Sequence, residues 1–228
     1  MSTPKRLVVA IDGPAGSGKS TAARRLAQRL GYTMLDTGAI YRAVALIARE
    51  RGVSWDDEAG LAGVAGGLEV RFAFEGDVNR VFLGAREVSA EIRTPDMNEG
   101  ASRVSRHPAV RAALLDLQRR LAAAGGVVAE GRDVGSVVFP RAEAKFFLSA
   151  SPEVRARRRF DELRAAGHEV AFAEVLQDQV ERDRRDSTRA TAPLCQAEDA
   201  LEIDSSALGP DEVVARMEAI VRRHCRGE

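Results

Sequence analysis

An α/β fold, with a parallel sheet carrying helices on both faces, is predicted for this 228-residue chain by three features. Short apolar runs recur and each ends in a polar or charged loop, as at Leu7 to Ile11 before Asp12 and Val127 to Ala129 before Glu130. Stretches of helical period separate those runs, so successive strands must lie parallel in one sheet. A glycine-rich loop joins the first run to the first helical stretch, the place where such folds bind phosphate.

That loop, Gly13-Pro14-Ala15-Gly16-Ser17-Gly18-Lys19-Ser20, satisfies G-x-x-x-x-G-K-[ST] in full. Its glycines let backbone N–H groups turn toward a phosphate, and the helix N-terminus behind it adds a positive dipole end. Lys19 is placed to meet the β- and γ-phosphates, and the Ser20 hydroxyl to take a position on Mg²⁺. The chain has only three lysines, Lys5, Lys19 and Lys145; every other basic side chain is arginine. A P-loop fold that binds a nucleoside triphosphate is the expectation, with residues 13–21, through Thr21, as the ATP site.

The remaining elements follow in order. Residues 19–30 read as a helix closed by Gly31, and Tyr32 to Asp36 as a strand before the turn Thr37-Gly38. Residues 40–51 are helical up to Gly52, and Ser54-x-x-Asp57 opens a short helix in the manner of a capping box. Residues 68–74 alternate with period 2, turn at Glu75-Gly76-Asp77, run back over 80–83, turn at Gly84-Ala85 and run on to Ser89. This antiparallel meander breaks the parallel rhythm and is read as an insertion. A helix over 108–124 ends at Gly125-Gly126, and a strand over 127–130 leads into Gly131-Arg132-Asp133. After a strand over 144–148, Ser151 and Pro152 supply an N-cap and an N1 proline for a helix running to Gly167. A second helix over 172–185, a strand over 201–204 and a helix from Pro210 complete the chain.

Composition bounds the function. Thirty-four basic and 34 acidic residues cancel, so no global field draws the protein to nucleic acid or a membrane. Cys195 and Cys225 are far apart and lack metal spacing, which suits a reducing compartment. No stretch approaches the ~20 apolar residues needed to span a bilayer. A cytoplasmic location and a monomeric state are expected.

Three charged loops fall at the carboxyl ends of strands: the P-loop, Asp36 to Arg42, and Glu130 to Asp133. A fourth cluster is rich in arginine. Residues 151–190 hold nine arginines and nine acids, including Arg155, Arg157, Arg158 and Arg159 on one helix and Arg182, Arg184, Arg185 and Arg189 near the end of the next. Helix-surface pairing accounts for several of them. Others would suit phosphoryl transfer, where guanidinium forks stabilise charge on the transferring oxygens and a two-helix lid excludes water.

The segments IDGPAGSGKST (11–21), LDTGAIYR (35–42), VSAEIRT (88–94), AEGRDVGSVVFP (129–140) and ERDRRDSTRATAP (181–193) together resemble the bacterial cytidylate kinases of the nucleoside-monophosphate kinase superfamily. The resemblance runs from end to end. It implies a single kinase domain over 1–228, a strand-containing monophosphate-binding insert over 37–112 and a lid over 151–190. It further implies transfer of the γ-phosphoryl group of ATP, with Mg²⁺, to CMP or dCMP. By the same resemblance Arg42, Arg132 and Arg189 hold the acceptor phosphate; Ser102, Arg111 and Asp133 read cytosine; and Arg182 and Asp186 meet the sugar. Thr37 and Tyr41 would line the site; on the charge argument above, Lys19, Arg132, Arg158, Arg185 and Arg189 would carry the chemistry. Thr37 stands where many relatives have serine, and Asp96 to Glu99 departs from the family pattern. Other small-molecule kinases, such as shikimate or dephospho-coenzyme A kinases, share a P-loop and lid but lack the strand insert and the Gly-Arg-Asp run. A GTPase would need an N-K-x-D guanine reader, which this sequence does not contain.

Overall fold

The computed structural model describes residues 6–188 and 192–226. Five parallel strands form the central sheet: β1 (Val8–Asp12), β2 (Thr33–Asp36), β6 (Val127–Glu130), β7 (Ala144–Ser149) and β8 (Leu201–Asp204), in the order β2-β6-β1-β7-β8. β1, the strand that feeds the P-loop, is therefore central. Its pleat divides the core: Val9 and Ile11 point to one face and Ala10 to the other, as the period of two requires. On the Val9 face lie α1 (Lys19–Leu30) and α8 (Pro210–Arg226). On the Ala10 face lie α2 (Thr37–Glu50), α3 (Glu58–Gly66) and α5 (Pro108–Leu121). The predicted two-faced α/β fold is what the chain adopts.

The meander is a separate antiparallel sheet of β3 (Val70–Glu75), β4 (Val78–Leu83) and β5 (Arg86–Glu87). Its inward residues Val70, Phe72 and Val81 join the same apolar cluster as α2. The capping-box reading of Ser54 is corrected. Asp57 is the N-cap of α3, its carboxylate accepting from the Gly60 N–H at 3.0 Å, while Ser54 Oγ accepts only from the Asp56 N–H. Asp57 lies one residue ahead of the helix, within reach of its free N–H groups, and Ser54 does not.

Two further elements lie outside those read from the sequence. Residues 91–93 form a 3₁₀ turn that leads into α4 (Pro95–Val104), which packs on α2 through the fully buried Met97. After Asp133 the chain makes one wide turn over Val134–Val138, where Val138 N–H reaches the Asp133 carbonyl and Phe139 N–H the Val134 carbonyl, both five residues back. The arginine-rich segment is two packed helices, α6 (Pro152–Ala165) and α7 (Phe172–Thr188). No helix among the described residues is long and apolar enough to cross a membrane.

Candidate functional site

The P-loop is shaped by close approach. Gly13 has φ +145°, and a Cβ there would lie 2.1 Å from the Leu148 carbonyl oxygen, so no side chain fits between β1 and β7. Gly18, also left-handed, is the N-cap of α1. Lys19 Nζ folds back to donate to the Pro14 carbonyl at 2.6 Å, and its side chain is buried. Burial, with the guanidiniums of Arg132 and Arg182 nearby, pushes its ammonium down to about 7.

A cleft opens beside this loop, at the carboxyl ends of β1, β2 and β6. It brings together Lys19 and Ser20 from α1, Thr37, Tyr41 and Arg42 from α2, and Ser102 from α4. Arg111 from α5, Arg132 and Asp133 from the loop after β6, and Arg182 and Asp186 from α7 complete the sequence-derived set. Arg189 lies outside the described residues. A second cavity on the other side of the loop is lined by residues 15–22 together with Arg158, Arg159, Ser205, Leu208 and Val213. Gly13 and Pro14 line neither cavity; one packs on β7 and the other accepts from Lys19.

Charges in the first cleft neutralise one another in pairs. Asp36 caps α2 by accepting from Ala39 N–H at 2.8 Å, and its other oxygen holds Arg42 at 2.8 Å. That leaves the buried Nε of Arg42 without a partner. Arg111 and Asp133, both buried, are directly ion-paired at the cleft floor, with Arg111 also lying over the Tyr41 ring. Arg132 Nε pairs with Asp186 at 2.9 Å, which joins the loop after β6 to α7. Arg182 makes no ion pair within 4 Å among the described residues. Loss of hydration between the cleft walls, with Arg132, Arg42 and Arg159 around it, pushes it down to about 10, although its side chain still meets solvent at the cleft mouth. An anion entering here meets the exposed Arg182 first, with the buried Lys19 behind it, and can take Arg42 and Arg132 from their carboxylates.

Ser20 Oγ donates to Glu130 Oε1 at 2.6 Å, and burial together with Asp36 holds Glu130 above the usual carboxylate range. Hard oxygen donors beside a phosphate site fit Mg²⁺, which keeps much of its coordination for water and substrate phosphates. Among the described residues no cluster of three or more acidic, His or Cys side chains forms a dedicated metal cage.

Two arginines expected in the chemistry sit elsewhere. Arg158 braces the P-loop: it donates to the Gly16 carbonyl at 3.3 Å and to the Ser205 hydroxyl and carbonyl at 3.1 and 2.7 Å. Arg185 lies on the exposed face of α7, lines neither cleft, and faces Glu181 one turn earlier. In α6 the buried arginine is Arg155, bound to the carbonyls of Ala150 and Ala15 and to Asp183. Arginine density signals pairing but not the partner, and the partners here are carbonyls that no pattern in the sequence marks. Glu130, Asp36 and Asn98 also line the cleft without having been singled out as site residues. Both carboxylates end strands at the sheet edge where ligands bind, and that placement was the available signal.

Residues 9–223 match the family model described as cytidylate kinase. The chain is 51% identical over 216 residues to a cytidylate kinase of Geobacter sp. strain M21, covering 95% of this chain and 93% of that one. It is 50% identical over 220 residues to a cytidylate kinase of Geobacter sulfurreducens, covering 96% and 94%. Among solved structures, an uncharacterized protein from Eubacterium ventriosum superposes with a TM-score of 0.51 at 11% identity, over 98% of this chain and 100% of that one, a likeness of fold. The chain belongs to the cytidylate kinase family.

Proposed function

We propose that this chain transfers the γ-phosphoryl group of ATP to CMP or dCMP, giving ADP and CDP or dCDP. The observation that carries the reading is the buried Arg111–Asp133 pair in a cleft that also holds the cations Lys19, Arg42, Arg132 and Arg182. The ion pair suits a base edge and the cations suit phosphates. Cytosine offers an N4 amino donor beside the N3 and O2 acceptors, which a carboxylate and a guanidinium complement. Uracil presents an acceptor at O4 and a donor at N3, and so mispairs at two positions. Ser102 sits at the same end of the cleft, Tyr41 under Arg111, and Arg182 and Asp186 on the α7 side where a sugar would pass.

ATP would lie across the P-loop, residues 13–21, with its nucleoside in the second cavity. An oxygen of the acceptor phosphate attacks Pγ in line, the bond from Pγ to the β,γ-bridging oxygen breaks, and that oxygen leaves on ADP. No general base is required, because the acceptor phosphate is largely dianionic near pH 7. Ser20, with Glu130 behind it, would hold Mg²⁺, which when bound with ATP neutralises charge on the β- and γ-phosphates. Phosphate oxygens restore the charge that burial takes from Lys19, so the ammonium is fully cationic where charge develops. Arg42, Arg132 and Arg189 would orient the acceptor phosphate. Arg182 would follow the transferring group, and the insert over 37–112 and the lid over 151–190 would close on the two substrates. A monomer working in the cytoplasm completes the reading.

The test is a coupled ATP-consumption assay against CMP, dCMP, UMP, AMP and shikimate. Turnover with CMP and dCMP should exceed that with UMP by at least ~10²-fold in kcat/KM, since a hydrogen-bonding site rejects the wrong edge strongly. Asp133→Asn should narrow the CMP:UMP ratio, chiefly by loss of CMP activity. Equal loss on both substrates would remove Asp133 from base reading, and turnover of AMP or shikimate at the CMP rate would overturn the assignment.

A further inference from the structure

Asp12 is the last residue of β1 and sits directly before the P-loop, yet its carboxylate bonds the loop after β6. It is almost wholly buried. One oxygen accepts from the Val134 N–H at 2.8 Å and the other from the Gly135 N–H at 2.7 Å. Those amides are the first two of the wide turn over Val134–Val138, so a side chain from a different strand caps the turn. The residue in the capping position of that turn is Asp133, which makes no side-chain capping bond. An aspartate at that position ordinarily folds back onto the free amides of its own turn. Asp133 instead pairs with Arg111.

We propose that Asp12 is a positioning residue for base recognition: by capping the turn from the P-loop strand, it releases the Asp133 carboxylate to face Arg111 and the cleft. Were the amides of Val134 and Gly135 open, the Asp133 carboxylate would compete for them as its own local acceptor and turn from the cleft. The packing is close enough to make this specific. A Cβ on Gly135 would come within 3.3 Å of both Asp12 Oδ2 and the Lys145 side chain, so the turn is held between β1 and β7 with little slack. The same bonds tie the loop that reads the base to the strand that carries the P-loop, and so set the two ends of the cleft against each other. This inference rests on the reading of Asp133 as the contact to cytosine.

Asp12→Asn tests it, because the amide keeps the shape but sets an N–H₂ donor against one of the two backbone N–H groups. The CMP:UMP ratio of kcat/KM should fall by about tenfold, since one hydrogen bond's worth of discrimination is lost. The KM for ATP should stay within about twofold, the P-loop itself being untouched. Equal loss on CMP and UMP, or a rise in KM for ATP matching that for CMP, would reduce Asp12 to a structural brace and overturn the proposal. Asp133→Asn, assayed alongside, separates the two readings. If it narrows the ratio while Asp12→Asn does not, this inference alone fails; if it leaves the ratio unchanged, the reading of Asp133 fails and takes this one with it.

Should Asp12→Asn not fold, the wild-type protein supplies the measurement. Burial lifts the Asp12 carboxyl to about 6, with Asp133 raising it further and the Val134 and Gly135 amides and Lys19 opposing; the Lys145 stem lies across Gly135. Protonation turns one acceptor oxygen into a donor. The CMP:UMP ratio should therefore narrow as pH falls from 7 to 5, a comparison in which titration of the substrates' own phosphates cancels. A ratio flat across that range would overturn the proposal.

Discussion

The meander over residues 70–87 and the two helices over 152–188 both leave the central sheet, but only the helices line the clefts beside the P-loop, and the two regions are attached by different physics. The meander is attached by apolar burial. Val70, Phe72, Val81 and Val88 join Ile92 and Met97 against α2, and the hairpin tip is fixed to α1 by Arg24 and Gln28, which donate to the Asp77 and Gly76 carbonyls at 3.2 and 3.4 Å. The helical segment buries little besides Arg155, Ala156, Val175 and Gln179. It is held by charge: Arg155 on Ala15 and Asp183, Arg158 on Gly16, and Arg132 on Asp186. Apolar burial is indifferent to a bound nucleotide, whereas an ion pair at the cleft can be exchanged for a phosphate. The meander is thus built as a wall and the helical segment as a cover whose fastenings are the same groups a substrate would use.

The largest effect should come at the P-loop, to which only the helical segment is fastened. Lys19→Ala should lower kcat by ~10²–10³, as loss of one donor aimed at developing charge does, without lowering Tm. The Lys19 contact to Pro14 costs burial of an ammonium, so its removal leaves the fold intact. A next test sets wall against cover. Phe72→Ala, in β3 of the meander, should destabilise the protein by about 3–5 kcal/mol in a denaturant titration, the usual cost of truncating a buried aromatic side chain. Val180→Ala, at a position on α7 that is 50% exposed, should stay within about 0.5 kcal/mol. A smaller but more direct contrast is amide exchange. ATP with CMP should slow exchange over 155–185 by about tenfold or more and leave 70–83 unchanged, because only the charged fastenings respond to ligand. Equal slowing in both regions would dissolve the comparison.

The last contrast concerns protons. The Lys19 ammonium falls from its ordinary 10.5 to about 7 in the folded chain, so between those values the unfolded chain binds more protons. Stability of the ligand-free protein should accordingly rise as pH climbs from about 7 toward 10.5, and the gain should be lost on return to 7. ATP restores the charge, so nucleotide binding near pH 8 should take up close to one proton. Calorimetry in buffers of different ionisation enthalpy reads that uptake, and Lys19→Met should abolish it.

Most of the wall and the sheet was legible because burial writes a period into sequence. The runs at 7–11, 127–129 and 144–148 and the alternation at 68–74 became β1, β6, β7 and β3. Of the two further elements, α4 does carry a helical spacing in Met97, Ala101 and Val104, but it is short and interrupted by Gly100, and the wide turn has none. The polar start Pro95-Asp96-Met97-Asn98 hides that Met97 is buried against α2, and the bonds of Val134 to Val138 run five residues back, a spacing that no sequence pattern marks. The cleft residues were found through loops and family motifs. Asp12 was not, because a carboxylate at a strand end looks like solvent exposure, and its partners are backbone amides more than 120 residues away. Arg158 and Arg185 drew attention by charge alone. Their actual neighbours, a carbonyl and a glutamate, are facts of packing.

The strand order sets a timetable for synthesis. β1 and β2 do not touch each other; each pairs with β6, and β1 also with β7. A chain emerging from the ribosome therefore carries its apolar first strand with no hydrogen-bonding partner until residues 127–130 have been made. At about 5–20 residues per second that wait is roughly 6–23 s. A nascent chain halted short of that point has the phosphate-binding loop in full but no sheet to hold it open. The interval exposes Val8 to Ile11 as an unpaired edge, the kind of segment that chaperones bind and that aggregates when they do not.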